Sequence, residues 1–123
     1  MARILIIDDE AHVRELLEDT LRSLGHTVFS ATNGKEGLKL QQTEPVHMVI
    51  TDIFMPEKEG LETIRDFRRE FPDVILIAMS GRPELANALF LAQQLGAYRV
   101  LEKPFDRQEL LAAIADALQA RSR

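Results

Sequence analysis

The residues able to do chemistry gather at the ends of short apolar runs. Ile4-Leu5-Ile6-Ile7 runs into Asp8-Asp9-Glu10, and the run His47 to Thr51 ends at Asp52. Val74 to Met79 leads into Ser80-Gly81, and Tyr98 to Leu101 is followed closely by Lys103-Pro104. A fifth run, Thr27 to Ser30, leads only into the uncharged Ala31-Thr32. Carboxylates held together repel one another: two charges about 4 Å apart cost about 4 kcal/mol at an effective dielectric near 20. Such a group either takes up a proton or binds a cation. A hard dication such as Mg²⁺ needs one or two carboxylates, carbonyls and waters, and often a phosphate. A lysine supplies a second counter-charge for an incoming phosphoryl group, and a serine can hydrogen-bond to it. A carboxylate can itself accept phosphoryl as an acyl phosphate. The residue types therefore point to Mg²⁺-assisted phosphoryl transfer to an aspartate, provided the chain brings them to one edge.

The intervening elements can do that. The five apolar runs, Arg3 to Ile7, Thr27 to Ser30, His47 to Thr51, Val74 to Met79 and Tyr98 to Leu101, start roughly 20 to 27 residues apart, and a helical pattern fills each gap. Nearly continuous apolar runs suit strands buried on both faces of a parallel sheet. Strands alternating with helices give an α/β, doubly wound sheet, whose ligands bind beyond the carboxyl ends of the strands. The first helix carries Val13, Leu16, Leu17, Thr20, Leu21 and Leu24 at helical spacing, with Gly25 just past its end. The second starts at Asn33 with Glu36 at the capping-box position, and Gly34 and Gly37 weaken it. The third follows Pro56 and presents Leu61, Ile64, Phe67 and Phe71. The fourth runs from about Glu84 to Leu95 and stops at Gly96. The fifth opens at Asp106, with Glu109 at the box position and then Leu111, Ile114, Ala115 and Leu118.

Composition narrows the alternatives. The chain has 123 residues, one domain's worth, and 46% hydrophobic against 28% charged residues excludes disorder. Cysteine is absent, which excludes disulfides, thiolate metal sites and cysteine nucleophiles. The formal charge is −5, which argues against direct nucleic-acid binding. No apolar run reaches membrane-spanning length, and the N-terminus lacks the pattern of a signal peptide, so the cytoplasm is the expected location. His12, His26 and His47 lack metal-ligand spacing and are expected to be structural or on the surface. Met48, Met55 and Met79 are expected to pack in the core.

The runs ILIIDDE, VITDIFMPEKEGLE, the pair SG after the fourth strand and GAYRVLEKPF resemble the receiver domain of two-component response regulators. The resemblance covers essentially the whole chain, in order and with matching spacing. It implies a flavodoxin-like (βα)5 fold with a five-stranded parallel sheet of order 2-1-3-4-5, two helices on one face and three on the other. It also implies that Asp52 is the phosphoacceptor, that Asp9 and Asp52 bind Mg²⁺ directly, and that Asp8 binds it through water. The backbone carbonyl of Phe54 would complete the protein ligands. Ser80 would be the switch hydroxyl that contacts the phosphoryl group. Lys103 would bind a phosphoryl oxygen, and the Lys103-Pro104 bond would be cis. The implied partners are a sensor histidine kinase or histidine phosphotransfer protein as phosphoryl donor, and a downstream protein met through the fourth helix. A phosphorylation-dependent homodimer fits the same pattern. Residues 1–123 are expected to be a single receiver domain, with no output domain within the chain.

Rival readings meet specific obstacles. Phosphatases of the haloacid dehalogenase type pair a strand-end aspartate with a second aspartate two positions on, where this chain has Phe54. A flavodoxin-like cofactor site needs a hydroxyl-rich phosphate loop, whereas Asp8-Asp9-Glu10 would repel a phosphate lacking a metal. A non-phosphorylated interaction module on the same fold is the remaining alternative, and the complete acidic set with Ser80 and Lys103 argues against it. The chain also departs from the family pattern. Many receivers carry an aromatic three residues before the strand-end lysine; Val100 stands there, with Tyr98 two residues earlier on the same side of the strand by its period of two. The usual aromatic arm of the switch is therefore expected to be absent. In the family the positions held here by Phe54 and Arg82 border the path of the attacking water, so the resemblance implies slow autodephosphorylation. In the fourth helix, Leu85, Leu89, Ala92 and Leu95 are expected to be buried, which leaves Phe90 for a contact surface.

Overall fold

Strand β1, Arg3–Ile7, is an inner strand of the sheet, and Ile4 to Ile7 are fully buried. The remaining elements follow in strict alternation: α1 Ala11–Ser23, β2 Thr27–Ala31, α2 Gly34–Thr43, β3 Met48–Asp52, α3 Gly60–Glu70, β4 Ile75–Ser80, α4 Ala86–Leu95, β5 Arg99–Glu102 and α5 Arg107–Arg121. This computed structural model describes residues 2–53, 60–81 and 86–121. All strand pairings are parallel, and the order is β2-β1-β3-β4-β5. The observed strands lie within a residue of the apolar runs.

The side chains of each central strand alternate between two cores. Ile4, Ile6, Met48, Ile50, Ile77 and Met79 pack with Leu17 and Leu21 of α1 and with Leu110, Ala113, Ile114 and Ala117 of α5. Leu5, Ile7, Val49, Leu76 and Ala78 face the other way, toward Ile64 and Phe67 of α3 and Ala92 of α4. A continuous apolar run is thus a period-two pattern with both faces buried. Two helices cover one face, while α2, α3 and α4 cover the other.

Helix termini follow their signals. Gly25, at φ 91°, ends α1 in a Schellman turn, with Gly25 N–H donating to Arg22 O and His26 N–H to Leu21 O. Gly96, at φ 120°, repeats the arrangement after α4. Asn33 Oδ1 accepts from the Glu36 N–H at 2.8 Å, and Asp106 Oδ1 accepts from the Glu109 N–H at 2.8 Å. The Glu36 carboxylate reaches back one residue beyond the box, to the Thr32 N–H and hydroxyl.

Three expectations, two for helices and one for a strand, need correction. Leu16 is 67% exposed, because the buried stripe of α1 runs through Leu17 and Leu21 and leaves Leu16 at its margin. In α5 the buried stripe is Leu110, Ala113, Ile114 and Ala117, so Ala115 faces solvent and Leu111 is only half-buried. Tyr98 lies one residue before β5 and is exposed, with its hydroxyl 3.4 Å from the Asp116 carbonyl of α5, whereas Val100 packs in the core beside α3 and α4. The alternation argument fails for Tyr98 because the strand has not yet begun. Of the fourth helix, Ala92 is buried, Leu95 half-buried and Phe90 exposed, while the side chains of Leu85 and Leu89 lie outside the described residues.

Two glycines sit where the backbone crowds. A Cβ on Gly60 would come within 2.1 Å of the Asp52 carbonyl oxygen and 2.4 Å of Ile53 Cα. On Gly37 it would meet Ile7 Cδ1 at 2.4 Å, which explains a glycine inside α2 despite its poor helix propensity. Gly60→Ala should therefore destabilise the protein by about 3 kcal/mol in urea unfolding, since neither partner can move aside. Gly37→Ala should cost about 1 kcal/mol or less, because the Ile7 side chain can turn and alanine is the better helix former. Equal costs at the two positions would contradict this account.

Candidate functional site

The carboxyl ends of β1, β3 and β4 reach the same edge because the three strands run parallel and in register, with Ile7 beside Thr51 and Asp52 beside Met79. Asp8 follows β1 immediately and is wholly buried. Its position is fixed on three sides. The Asp8 N–H donates to Ala31 O at 3.2 Å, Asp8 Oδ1 accepts from the Glu10 N–H at 2.9 Å, and Asp8 O accepts from Arg14 Nη1 at 2.7 Å. The second of these is an Asx turn. Asp8 therefore shapes the loop, while the N-cap of α1 is Glu10, whose side chain makes no capping bond. Asp9 is exposed beside it.

Asp52 ends β3 and is buried. Its backbone is held by the Thr51 hydroxyl, which donates to Asp52 O at 3.0 Å, and by Ile53 N–H donating to Met79 O at 2.9 Å. Gly60 N–H then donates to Ile53 O at 2.7 Å, bringing the start of α3 against the strand end. Ser80, at the end of β4, is buried. Its carbonyl accepts from the Lys103 N–H at 2.7 Å, which joins the loop after β5 to the end of β4. The Lys103-Pro104 bond is cis.

Lys103 Nζ donates to Asp8 Oδ2 and to Asp52 Oδ2, both at 2.9 Å, and lies 3.9 Å from Glu10 Oε1. Burial is the largest influence on this ammonium and pulls its pKa down. The hydrogen bonds and charges of Asp52 and Asp8 together outweigh it and hold the pKa above the ordinary 10.5. Carboxylate oxygens of Asp8, Asp9, Glu10 and Asp52 all lie within 4.8 Å of one another. Four carboxylates thus face one ammonium, and that excess of negative charge, presented by oxygen donors, suits a hard divalent cation.

The structure brings together Asp8, Asp9, Asp52 and Lys103, with Ser80 tied to Lys103 through the backbone. Phe54 and Arg82 lie outside the described residues. Two residues at the edge were not singled out from sequence. Glu10 joins the carboxylate group, and the run of three acids was its signal. Arg14 braces the Asp8 carbonyl from the first turn of α1, and nothing in its spacing distinguished it from a surface arginine.

Comparison with known proteins agrees with this architecture. The sequence matches the family model of the response regulator receiver domain over residues 4–115. It is 35% identical over 95% of its length to a probable transcriptional regulator, ycf27, of Porphyridium aerugineum, covering 48% of that protein. The chain spans about half the length of that relative, and about a quarter of several other curated relatives. Among solved structures, a response regulator receiver domain protein of Clostridium thermocellum superposes with a TM-score of 0.91 at 31% identity, covering 99% of this chain and 98% of that one. The response regulator TrrA of Thermotoga maritima, solved with Mg²⁺ and BeF, superposes with a TM-score of 0.85 at 32% identity, covering 95% of this chain and 99% of that one. With five parallel strands in the order 2-1-3-4-5 and the acidic strand ends on one edge, the chain belongs to the receiver domains of two-component response regulators.

Proposed function

We propose that this receiver accepts a phosphoryl group on Asp52 from a phosphohistidine donor, with Mg²⁺ bound at the acidic edge. The observation that carries the proposal is Lys103 Nζ, 2.9 Å from both Asp8 and Asp52, which sets one fixed cation beside two strand-end carboxylates. Asp52 suits the acceptor role better than Asp8. Asp8 is wholly buried and its carboxylate closes the loop after β1 through the Glu10 N–H, whereas Asp52, at the end of β3, is not wholly covered. In the transfer, an Asp52 oxygen forms a bond to phosphorus while the phosphorus–nitrogen bond of the donor breaks, and the imidazole leaves with the bonding pair. Asp9 and Asp52 would hold the metal directly, Asp8 through water, and the Phe54 carbonyl would complete the protein ligands. When bound, Mg²⁺ would neutralise charge on the phosphoryl oxygens. Lys103 would exchange its bond to Asp52 for one to a phosphoryl oxygen, and Ser80 would hydrogen-bond to another, drawing the loop after β4 inward.

The activity is regulatory, with self-directed phosphoryl transfer and dephosphorylation as its only chemistry. Residues 1–123 act as one receiver unit. Its donor is a sensor histidine kinase or a histidine phosphotransfer protein, and its output is a phosphorylation-dependent contact through the α4 region with a downstream protein or a second copy. Among the described residues no helix is long and apolar enough to cross a membrane, and a cytoplasmic location fits that and the histidine kinase partnership.

Incubation with Mg²⁺ and a small acyl phosphate should add one labile phosphate by intact mass. Asp52→Asn should abolish that addition and remain as stable as the parent in metal-free buffer, because the change is nearly isosteric and relieves carboxylate repulsion. Phosphate incorporation at the parent rate would overturn the assignment. Asp9→Ala should weaken Mg²⁺ binding by about tenfold or more in calorimetry while leaving the fold intact. Unchanged affinity would remove Asp9 from the ligand set.

A further inference from the structure

The end of the sheet opposite the acidic edge carries a pair of histidines that the proposed function does not use. Ala2 and Arg3, at the start of β1, need acceptors on both sides, toward β2 and toward β3. On the β2 side, Thr27 N–H donates to Ala2 O at 3.0 Å, and Ala2 N–H donates to the Nδ1 of His26 at 3.2 Å. On the β3 side, His47 N–H donates to Arg3 O at 2.9 Å, and Arg3 N–H donates to the Nδ1 of His47 at 2.9 Å. The chain leading into β2 is still in the Schellman turn that ends α1, and the chain leading into β3 passes through Pro45. Two imidazoles thus accept where ladder carbonyls would otherwise do so. Both histidines are half-buried, and Ala2 is buried.

A nitrogen that accepts a hydrogen bond cannot also carry a proton. From this geometry we infer that His26 and His47 form an acid-sensitive clasp on the start of β1, closed only while both imidazoles are neutral. Burial, with the positive amino terminus adding to it, holds His26 below its ordinary 6.5. The charged groups on the neighbouring elements are Arg3, Glu18, Arg22, Glu44 and Asp73. On β1, the Arg3 guanidinium is held by Glu44 Oε2 at 2.9 Å and Pro45 O at 2.7 Å. Arg22 of α1 donates to Val28 O and pairs with Glu18, and Asp73 lies exposed on the turn into β4. The sign follows from linkage. A group that is neutral when folded and protonated when unfolded contributes stability above the unfolded pKa, and that contribution is lost as pH falls toward the lowered folded value. The same strand leads into Asp8 and Asp9, so the clasp and the acidic edge sit at opposite ends of one element.

The test is urea unfolding of the full chain at pH 7 and pH 5.5, beside the double variant His26→Asn/His47→Asn. Asparagine Oδ1 can accept at a similar reach to Nδ1 and does not titrate in this range. Between these pH values the unfolding constant of the parent should rise by up to roughly eightfold per histidine more than that of the variant. A parallel rise in both proteins would overturn the clasp. If the double variant does not fold, ¹⁵N-detected titration of the unaltered protein decides. The clasp requires both imidazoles to be Nε2-protonated neutral tautomers that titrate below 6.5, and either ring titrating at or above that value would refute it.

Discussion

A single ammonium makes this sheet edge possible. Parallel strands in register deliver Asp8 and Asp52 to neighbouring positions, and the two carboxylates would repel at that spacing without a cation between them. Lys103 supplies it, donating to both from a loop on the far side of β4. Three non-adjacent segments of sequence are thereby tied through one side chain. The order β2-β1-β3-β4-β5 sets the ends of β1, β3 and β4 side by side, with the β5 loop close enough to reach across. Asp9 and Glu10 leave the edge with more negative than positive charge, which keeps it receptive to a further cation.

Backbone contacts hold these side chains where the chemistry needs them. The loop after β1 is closed by Asp8 accepting from the Glu10 N–H and is braced from α1 by Arg14. The end of β3 is pinned between β4 and the start of α3, where Gly60 allows a closeness to the Asp52 carbonyl that a side chain would prevent. Ser80 and Lys103 share a backbone hydrogen bond, so displacement of one is felt by the other.

Much of this was legible in the sequence, and the reasons are physical. Strands buried on both faces show as unbroken apolar runs, and strand ends mark where a parallel sheet places its chemistry, so Asp8, Asp9, Asp52, Ser80 and Lys103 stood out together. Caps at Asn33 and Asp106 and the turns at Gly25 and Gly96 are local devices with local signals. What could not be read depended on packing between distant segments. Leu16 and Ala115 fit a helical period as well as their buried neighbours do, and only the neighbouring elements decide which stripe is covered. Gly37 reads as a weak point in α2, yet Ile7 lies against it where a side chain would stand, and the crowding of Gly60 against Asp52 likewise comes from a distant segment. His26 and His47 carried no ligand spacing, because what they bind is the strand between them.

The most direct test of the account is the energetic coupling between Lys103 and the Asp52 carboxylate. Urea unfolding of the parent, Asp52→Asn, Lys103→Met and the double variant, all in metal-free buffer, gives that coupling as the departure from additivity. If Lys103 is the counter-charge that lets the carboxylates coexist, Lys103→Met alone should destabilise the protein, and adding Asp52→Asn should restore part of the loss, with a coupling of about 1–3 kcal/mol. Strictly additive effects, with Asp52→Asn no more favourable in the Lys103→Met background than beside the native lysine, would contradict it.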